Sequence, residues 1–105
     1  MIKDLTPKEF KDYLIDDEVI LVDVREQWEF DICQIKDAIL MPMGEIAISY
    51  VNLNKDSKIA LYCHSGIRSM HVADFLLSQG FQSLANLQGG IDAWAQEIDT
   101  TLERY

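Results

Sequence analysis

The chain has 105 residues, of which 49% are hydrophobic and 26% charged, and its formal net charge at pH 7 is -9. This length suits one compact domain over residues 1–105 with one hydrophobic core. So acidic a chain repels phosphate backbones and shows no basic amphipathic face, so we expect neither nucleic acid nor a membrane as its partner. The start of the chain lacks the apolar core of a signal peptide, and two cysteines, Cys33 and Cys63, are too few for a disulfide framework. We therefore expect a cytoplasmic protein, although the sequence leaves one 33–63 disulfide open.

The first third of the chain carries helix and strand signals in turn. Thr6 can cap a helix, Pro7 then occupies its first position, and Glu9 completes a capping box. Residues 19–24 form a nearly continuous, β-branched apolar run, which is typical of a strand buried on both faces. A second helix is expected over 25–32, so this part of the chain predicts a helix–strand–helix order.

The same alternation continues to the end of the chain. The later elements are predicted as strands at 38–42, 57–63 and 81–88 and as helices at 44–53, 68–80 and 89–98. Gly80 is placed to end the helix over 68–80 in a left-handed conformation. Alternating strands and helices predict an α/β fold with a mainly parallel central sheet flanked by helices. Ligands of such sheets bind beyond the carboxyl ends of the strands, and both Asp23 and Cys63 lie at such ends.

The stretch CHSGIRS at 63–69 joins a predicted strand to a predicted helix. Gly66 permits the tight turn that this connection needs, and such a turn points successive backbone N–H groups toward an anion. The helix dipole adds positive potential, as does Arg68 if its side chain or its backbone faces the loop. This environment favours a thiolate, so Cys63 is predicted to be a nucleophile that needs no histidine base. His64 is expected at the rim of the site.

Four stretches together resemble the rhodanese-like domain family, which includes persulfide-forming sulfurtransferases. They are VDVRE at 22–26, DAILMP at 37–42, CHSGIRS at 63–69 and NLQGGIDAW at 86–94. The resemblance covers nearly the whole chain and implies the family's three-layer α/β fold. Before AILMP the family usually reads glycine, histidine, isoleucine, proline and glycine, whereas this chain has CQIKD at 33–37. The rim of the site therefore departs from the family pattern.

The length of the loop separates two activities found on similar folds. The family's sulfurtransferases have four residues between the cysteine and the arginine position, and here these are His64, Ser65, Gly66 and Ile67. Related phosphatases and arsenate reductases have one residue more, which widens the loop for a tetrahedral oxyanion. The four-residue loop therefore favours sulfur transfer over phosphatase or arsenate reductase activity.

The resemblance implies a thiosulfate or persulfide sulfurtransferase with Cys63 as its catalytic residue. Cys63 would take a sulfane sulfur from its donor, hold it against the backbone N–H groups of residues 64–68, and pass it to cyanide or a thiol. A sulfur-relay protein is a further partner that this chemistry allows. Asp23 and Arg25 are expected to support the site through an ion pair. The alternative is a module that senses oxidants or binds a partner without significant turnover.

Neither a metal nor an organic cofactor is expected, because the two histidines and two cysteines lack the spacing of zinc ligands. Cys33 is expected to be a small buried packing residue, and a role as a resolving thiol is the alternative. The sequence does not set the distance between Cys33 and Cys63.

Overall fold

The computed structural model describes all 105 residues and contains one five-stranded sheet with helices on both of its faces. The strands are β1 (Ile2–Leu5), β2 (Ile20–Asp23), β3 (Ile39–Leu40), β4 (Lys58–Tyr62) and β5 (Ser83–Leu87). The helices are α1 (Pro7–Tyr13), α2 (Gln27–Ile32), α3 (Ile46–Ser49), α4 (Ile67–Ser78) and α5 (Gly90–Glu97). Short 3₁₀ turns at Met43–Glu45 and Tyr50–Asn52 flank α3. None of the helices has the length and apolar character needed to cross a membrane.

The strands are all parallel, in the order β1-β5-β4-β2-β3, so β4 lies at the centre of the sheet. Ile59 and Leu61 of β4 pack in the core on the α4 face, while Ala60 and Tyr62 pack in the core beside α1 and α5. Successive strand side chains point to opposite faces, so a sheet covered on both faces needs an uninterrupted apolar run. The predicted α/β fold is confirmed, with three layers and a parallel central sheet.

Two helix boundaries follow the predicted capping chemistry. The Thr6 hydroxyl accepts a hydrogen bond from the Glu9 N–H (3.3 Å), and the Glu9 carboxylate accepts one from the Thr6 N–H (3.0 Å). At the end of α4, Gly80 adopts a left-handed conformation with φ of 97°. Both signals depend on residues close in sequence, so the sequence alone predicts them correctly.

Two elements differ from the prediction. β1 is absent from the sequence prediction because its two central residues, Lys3 and Asp4, are charged and exposed, and it pairs with β5 alone at the edge of the sheet. The single helix expected over 44–53 is wrong, since it is broken into α3 and its two flanking 3₁₀ turns. Ile46 is nevertheless buried, so the predicted apolar face of this segment does contact the core.

The segments that follow β2, β3 and β4 lie together at the carboxyl ends of these strands. The Val24 N–H donates to the Tyr62 carbonyl (3.1 Å), and the Met41 N–H donates to the Asp23 carbonyl (2.8 Å). The Met43 N–H then donates to the Val24 carbonyl (2.9 Å). These bonds fix the surroundings of the loop that begins at residue 63.

Candidate active site

Cys63 directly follows the central strand and lies inside the loop that leads into α4. The Gly66 N–H donates a hydrogen bond to the Cys63 Sγ over 3.1 Å, and the Ser69 Oγ lies 3.4 Å from the same sulfur. Gly66 has φ of 98°, and a Cβ there would lie 3.1 Å from the Leu87 carbonyl oxygen, so a side chain would be strained and crowded. The loop therefore directs one backbone donor, the Gly66 N–H, at a buried sulfur.

Ser69 and Asn86 form a second support of the loop, and the sequence prediction, which ended the site at Arg68, missed both. The Ser69 hydroxyl donates to the Asn86 Oδ1. The Asn86 amide in turn donates to the Gly66 carbonyl (3.2 Å) and to the Asp4 carboxylate (3.1 Å). Asn86 is 2% exposed, and the other buried positions of β5 are apolar. A polar residue inside a predicted apolar strand was the sequence signal for this hydrogen-bonded position.

The glycine pair before α5 lets that helix approach the loop closely. The Ile91 N–H donates to the Cys63 carbonyl (2.9 Å), and the Asp92 N–H donates to the His64 carbonyl (3.1 Å). Gly90 has φ of 63°, and a Cβ at this position would clash with the His64 carbonyl group. The start of α5 thus fixes the backbone of Cys63 and His64 through hydrogen bonds to their carbonyl groups.

Arg68 is paired with a carboxylate that the sequence prediction did not include. Its Nη1 and Nη2 each donate to one oxygen of Glu29 over 2.8 Å. Hydrogen bonds from Arg68 hold the pKa of Glu29 at about 2, below its usual 4.5, against the opposing effect of burial. The pKa of Arg68 is raised by its hydrogen bonds to Glu29, although burial opposes this effect. The Glu29 side chain is 4% exposed and the Arg68 side chain 32% exposed.

Asp23 and Arg25 form the expected ion pair, and neither side chain is exposed to solvent. The Arg25 Nε donates to one Asp23 oxygen (3.0 Å) and its Nη2 to the other (2.7 Å). Burial opposes the charge of Arg25, yet its hydrogen bonds to Asp23 raise its pKa. Arg25 also donates to the carbonyl groups of Glu29 (3.3 Å) and Cys33 (2.6 Å), and so braces the segment from 23 to 33.

Cys33 is a buried free thiol in the core beside α1 and α5. The Nη1 of Arg25 lies 3.9 Å from its sulfur, so the thiol faces the buried arginine. Cys63 is also a free thiol in the structure, so the two cysteines are not joined. In the divergent segment 33–37, Asp37 adopts a left-handed backbone conformation with φ of 69°. This is the position where the family usually has its second glycine.

His64 packs against Tyr105, a contact for which the sequence carries no signal. The two rings are stacked with centroids 4.2 Å apart and an interplanar angle of 17°. The Tyr105 hydroxyl accepts from the Arg25 Nη1 (2.9 Å) and donates to the Glu29 carboxylate (2.6 Å). Burial, then the bond to Glu29, raises the pKa of Tyr105 to about 12. Tyr105 therefore joins both arginine–carboxylate pairs to the loop.

An open cleft of about 310 Å³ lies against the loop. Residues 65–67 of the loop line it together with Asp4, Asn86, Gln88 and His71. Ile67 is 66% exposed there, and no Lys or Arg side chain lines this cleft. Nowhere in the structure do three or more His, Cys, Asp or Glu side chains gather as a metal site would require.

A buried cysteine that accepts a backbone N–H bond in a tight loop, at the carboxyl end of a central parallel strand, defines an α/β protein with a cysteine-loop site. The family model for the rhodanese-like domain matches residues 6–97 of the chain. The chain therefore belongs to the rhodanese-like domain family, as its sequence motifs predicted.

Several known proteins are similar to this chain. A protein named sulfurtransferase from Allochromatium vinosum is 37% identical over 97 residues, which cover 91% of each chain. A tRNA uridine(34) hydroxylase from Staphylococcus carnosus is 35% identical over 109 residues, but this chain spans only 34% of that protein's length. The crystal structure of a rhodanese-like domain protein from Staphylococcus aureus superposes with a TM-score of 0.81 at 33% identity and covers 98% of both chains.

Proposed function

We propose that this protein is a sulfurtransferase that carries a sulfane sulfur on Cys63 between a thiosulfate or persulfide donor and a thiol or cyanide acceptor. The observation that carries the proposal is the Gly66 N–H directed at the Cys63 sulfur over 3.1 Å, in a loop with four residues between Cys63 and Arg68. The sulfurtransferase relative, which matches over 91% of both chains, supports the same reaction class. A sulfur-relay protein as donor or acceptor is part of this proposal.

In the first half-reaction the Cys63 thiolate attacks the terminal sulfur of the donor. A new S–S bond forms to Cys63, the S–S bond of the donor breaks, and the leaving group departs with the electron pair as sulfite or as a thiolate. The terminal sulfur of the resulting persulfide carries the negative charge. Backbone N–H groups of residues 64–68 stabilise this charge, as an oxyanion hole stabilises oxygen.

In the second half-reaction the acceptor attacks the terminal sulfur of the persulfide. Cyanide leaves as thiocyanate, or an acceptor thiolate leaves as a new persulfide, and Cys63 returns to the thiolate form. The sulfur moves at one oxidation level, so the cycle needs no external oxidant or reductant. Two separate half-reactions on one nucleophile predict ping-pong kinetics.

Intact mass measurement after incubation with thiosulfate or an alkyl persulfide tests the proposal. We expect the wild-type protein to gain the mass of one sulfur atom, which cyanide then removes as thiocyanate. Cys63→Ala should gain none, while the matched variant Cys33→Ala should still gain one sulfur, because Cys33 lies in the core. Circular dichroism of each variant checks that it is folded.

Two outcomes would contradict the proposal. One is that no donor adds sulfur to the wild-type protein, with peroxide oxidation of Cys63 as its only reaction, which would favour a redox-sensing module. The other is that Cys63→Ala gains sulfur as readily as the wild-type protein. Hydrolysis of an aryl phosphate that is lost in Cys63→Ser would instead favour phosphatase activity.

A further inference from the structure

The side-chain charges around the loop cancel one another. The Arg68 guanidinium is held by both oxygens of Glu29, and the Arg25 guanidinium is held by Asp23 with no exposure to solvent. The loop residues at 64–67 include no lysine or arginine. They are a histidine whose ring stacks on Tyr105, a serine, a glycine and an isoleucine. A bound anion would therefore meet backbone N–H groups without an unpaired arginine or lysine of the loop.

The surroundings of the loop add negative charge. The cleft beside residues 65–67, which Cys63 itself does not line, is lined by Asp4 and by no basic side chain other than His71. The chain as a whole carries a formal charge of -9. Like charges repel over about a Debye length, so an anionic molecule approaches this face less readily than a neutral or cationic one.

We propose that the sulfur donor of this protein is a persulfide whose carrier is uncharged or cationic, so that no negative charge lies beside its sulfane sulfur. Glu29 sets this preference by neutralising Arg68. This inference rests on the proposed sulfurtransferase activity and narrows its donor class. Thiosulfate is a dianion, so its approach places two negative charges next to a loop with no free cation. A persulfide with a neutral or cationic carrier presents its terminal sulfur without that repulsion.

The transfer from such a persulfide balances without any further reactant. The Cys63 thiolate attacks the terminal sulfur, the donor S–S bond breaks, and the carrier leaves as its thiolate with the electron pair. The proton of the donor's terminal S–H stays with the transferred sulfur or passes to the leaving thiolate. One negative charge enters the step and one leaves it.

A series of three small persulfides with similar carriers tests the donor preference. The persulfides of 2-aminoethanethiol, 2-mercaptoethanol and 3-mercaptopropionate present a cationic, a neutral and an anionic carrier, and thiosulfate provides the dianion. We expect kcat/KM for loading Cys63 to fall in that order. Raising the ionic strength from about 0.01 M to about 1 M should increase kcat/KM for the anionic donors and leave the neutral donor unchanged, because the Debye length falls from ~30 Å to ~3 Å.

Glu29→Gln tests the residue assigned to this preference, because it keeps the shape of the pair and leaves the charge of Arg68 uncancelled. The ratio of kcat/KM for thiosulfate to that for the neutral persulfide should rise at least about tenfold, because at an effective dielectric constant of ~20 one added positive charge within ~12 Å favours even a single negative charge by that factor. Asp31→Asn is the matched control: it removes the same charge from the exposed side of α2, where Asp31 accepts only from Gln27, and should leave the ratio unchanged. The ratio cancels any loss of active protein through partial unfolding.

The outcomes separate this inference from the proposed function. If no donor loads Cys63, the sulfurtransferase proposal itself fails. If thiosulfate and the anionic persulfide load Cys63 as fast as the cationic persulfide, with no dependence on salt, the donor preference is wrong while sulfur transfer stands. If the preference is observed but Glu29→Gln and Asp31→Asn give the same ratio, Glu29 does not set it.

Discussion

Replacing Glu29 by glutamine should remove a pH-dependent part of the folding free energy that can be calculated from the site. In the folded protein, hydrogen bonds from Arg68 lower the pKa of Glu29 to about 2, whereas the ordinary value is 4.5. A carboxyl group whose pKa is lowered by folding stabilises the native state when it is ionised. This stabilisation is fully present above pH 4.5 and is lost as the pH falls toward 2.

The size of the effect follows from the difference between the two pKa values. A fall from 4.5 to about 2 corresponds to about 3 kcal/mol at neutral pH, since each pKa unit is worth ~1.4 kcal/mol. The Glu29 side chain is 4% exposed, so solvent screens this interaction little at the carboxylate. Integration of the linkage relation leaves about 1.4 kcal/mol of this stabilisation at pH 3. The free-energy difference between wild type and Glu29→Gln should therefore shrink by about 2 kcal/mol between pH 7 and pH 3.

Urea unfolding followed by circular dichroism at pH 7, 5, 4 and 3 measures this difference, because domains of this kind have unfolding free energies of about 5–15 kcal/mol. Subtracting the curve of the variant from that of the wild type removes the contributions of the other carboxyl groups. Asp31→Asn, on the same helix, should differ from wild type by less than about 0.5 kcal/mol at every pH. A wild-type-minus-Glu29→Gln difference that stays constant from pH 7 to pH 3 would refute the lowered pKa of Glu29 in the folded protein.

Two further predictions concern backbone positions. Gly90→Ala should lower the free energy of unfolding by at least about 2 kcal/mol in urea melts and should slow persulfide formation, because its Cβ would clash with the His64 carbonyl group. Gly44→Ala is the control: a Cβ there meets nothing within 4 Å, so the unfolding free energy should change by less than about 0.5 kcal/mol. Equal effects of the two substitutions would contradict this packing argument. Asp37→Gly should keep or raise the unfolding free energy, by up to about 1 kcal/mol, because φ is 69° at Asp37, whereas Lys36→Gly should lower it by about 0.5–1 kcal/mol. A loss of stability in Asp37→Gly as large as that in Lys36→Gly would be inconsistent with strain at Asp37.

The features that the sequence predicted well depend on residues close along the chain. The apolar run at 19–24 indicated a strand buried on both faces, and β2 places Val22 in the core on one face of the sheet and Leu21 in the core on the other. The cap at Thr6 and the terminator at Gly80 were predictable for the same reason, since each satisfies backbone groups within four residues. The position of Cys63 at the start of a glycine-containing turn into a helix likewise comes from a single stretch of seven letters at 63–69.

The sequence could not predict which side chains complete the site. Glu29 and Arg68 are 39 positions apart, and charged residues are so numerous in this chain that no pattern singles out their pairing. β1 also escaped prediction, since an edge strand of four residues with two exposed charges takes its hydrogen bonds from β5 and not from its own apolar pattern.

By itself, the sequence determined the layered α/β order, the cysteine loop and its four-residue length, because periodicity, capping and turn chemistry are local properties of the chain. Tertiary structure alone decided the charge of the site. The pairing of Glu29 with Arg68 and the bridge of Tyr105 between Glu29 and Arg25 exist only because the packed fold brings distant segments together at the carboxyl ends of the strands. Electrostatic partners are chosen by proximity in space, and proximity of this kind follows from the packed fold.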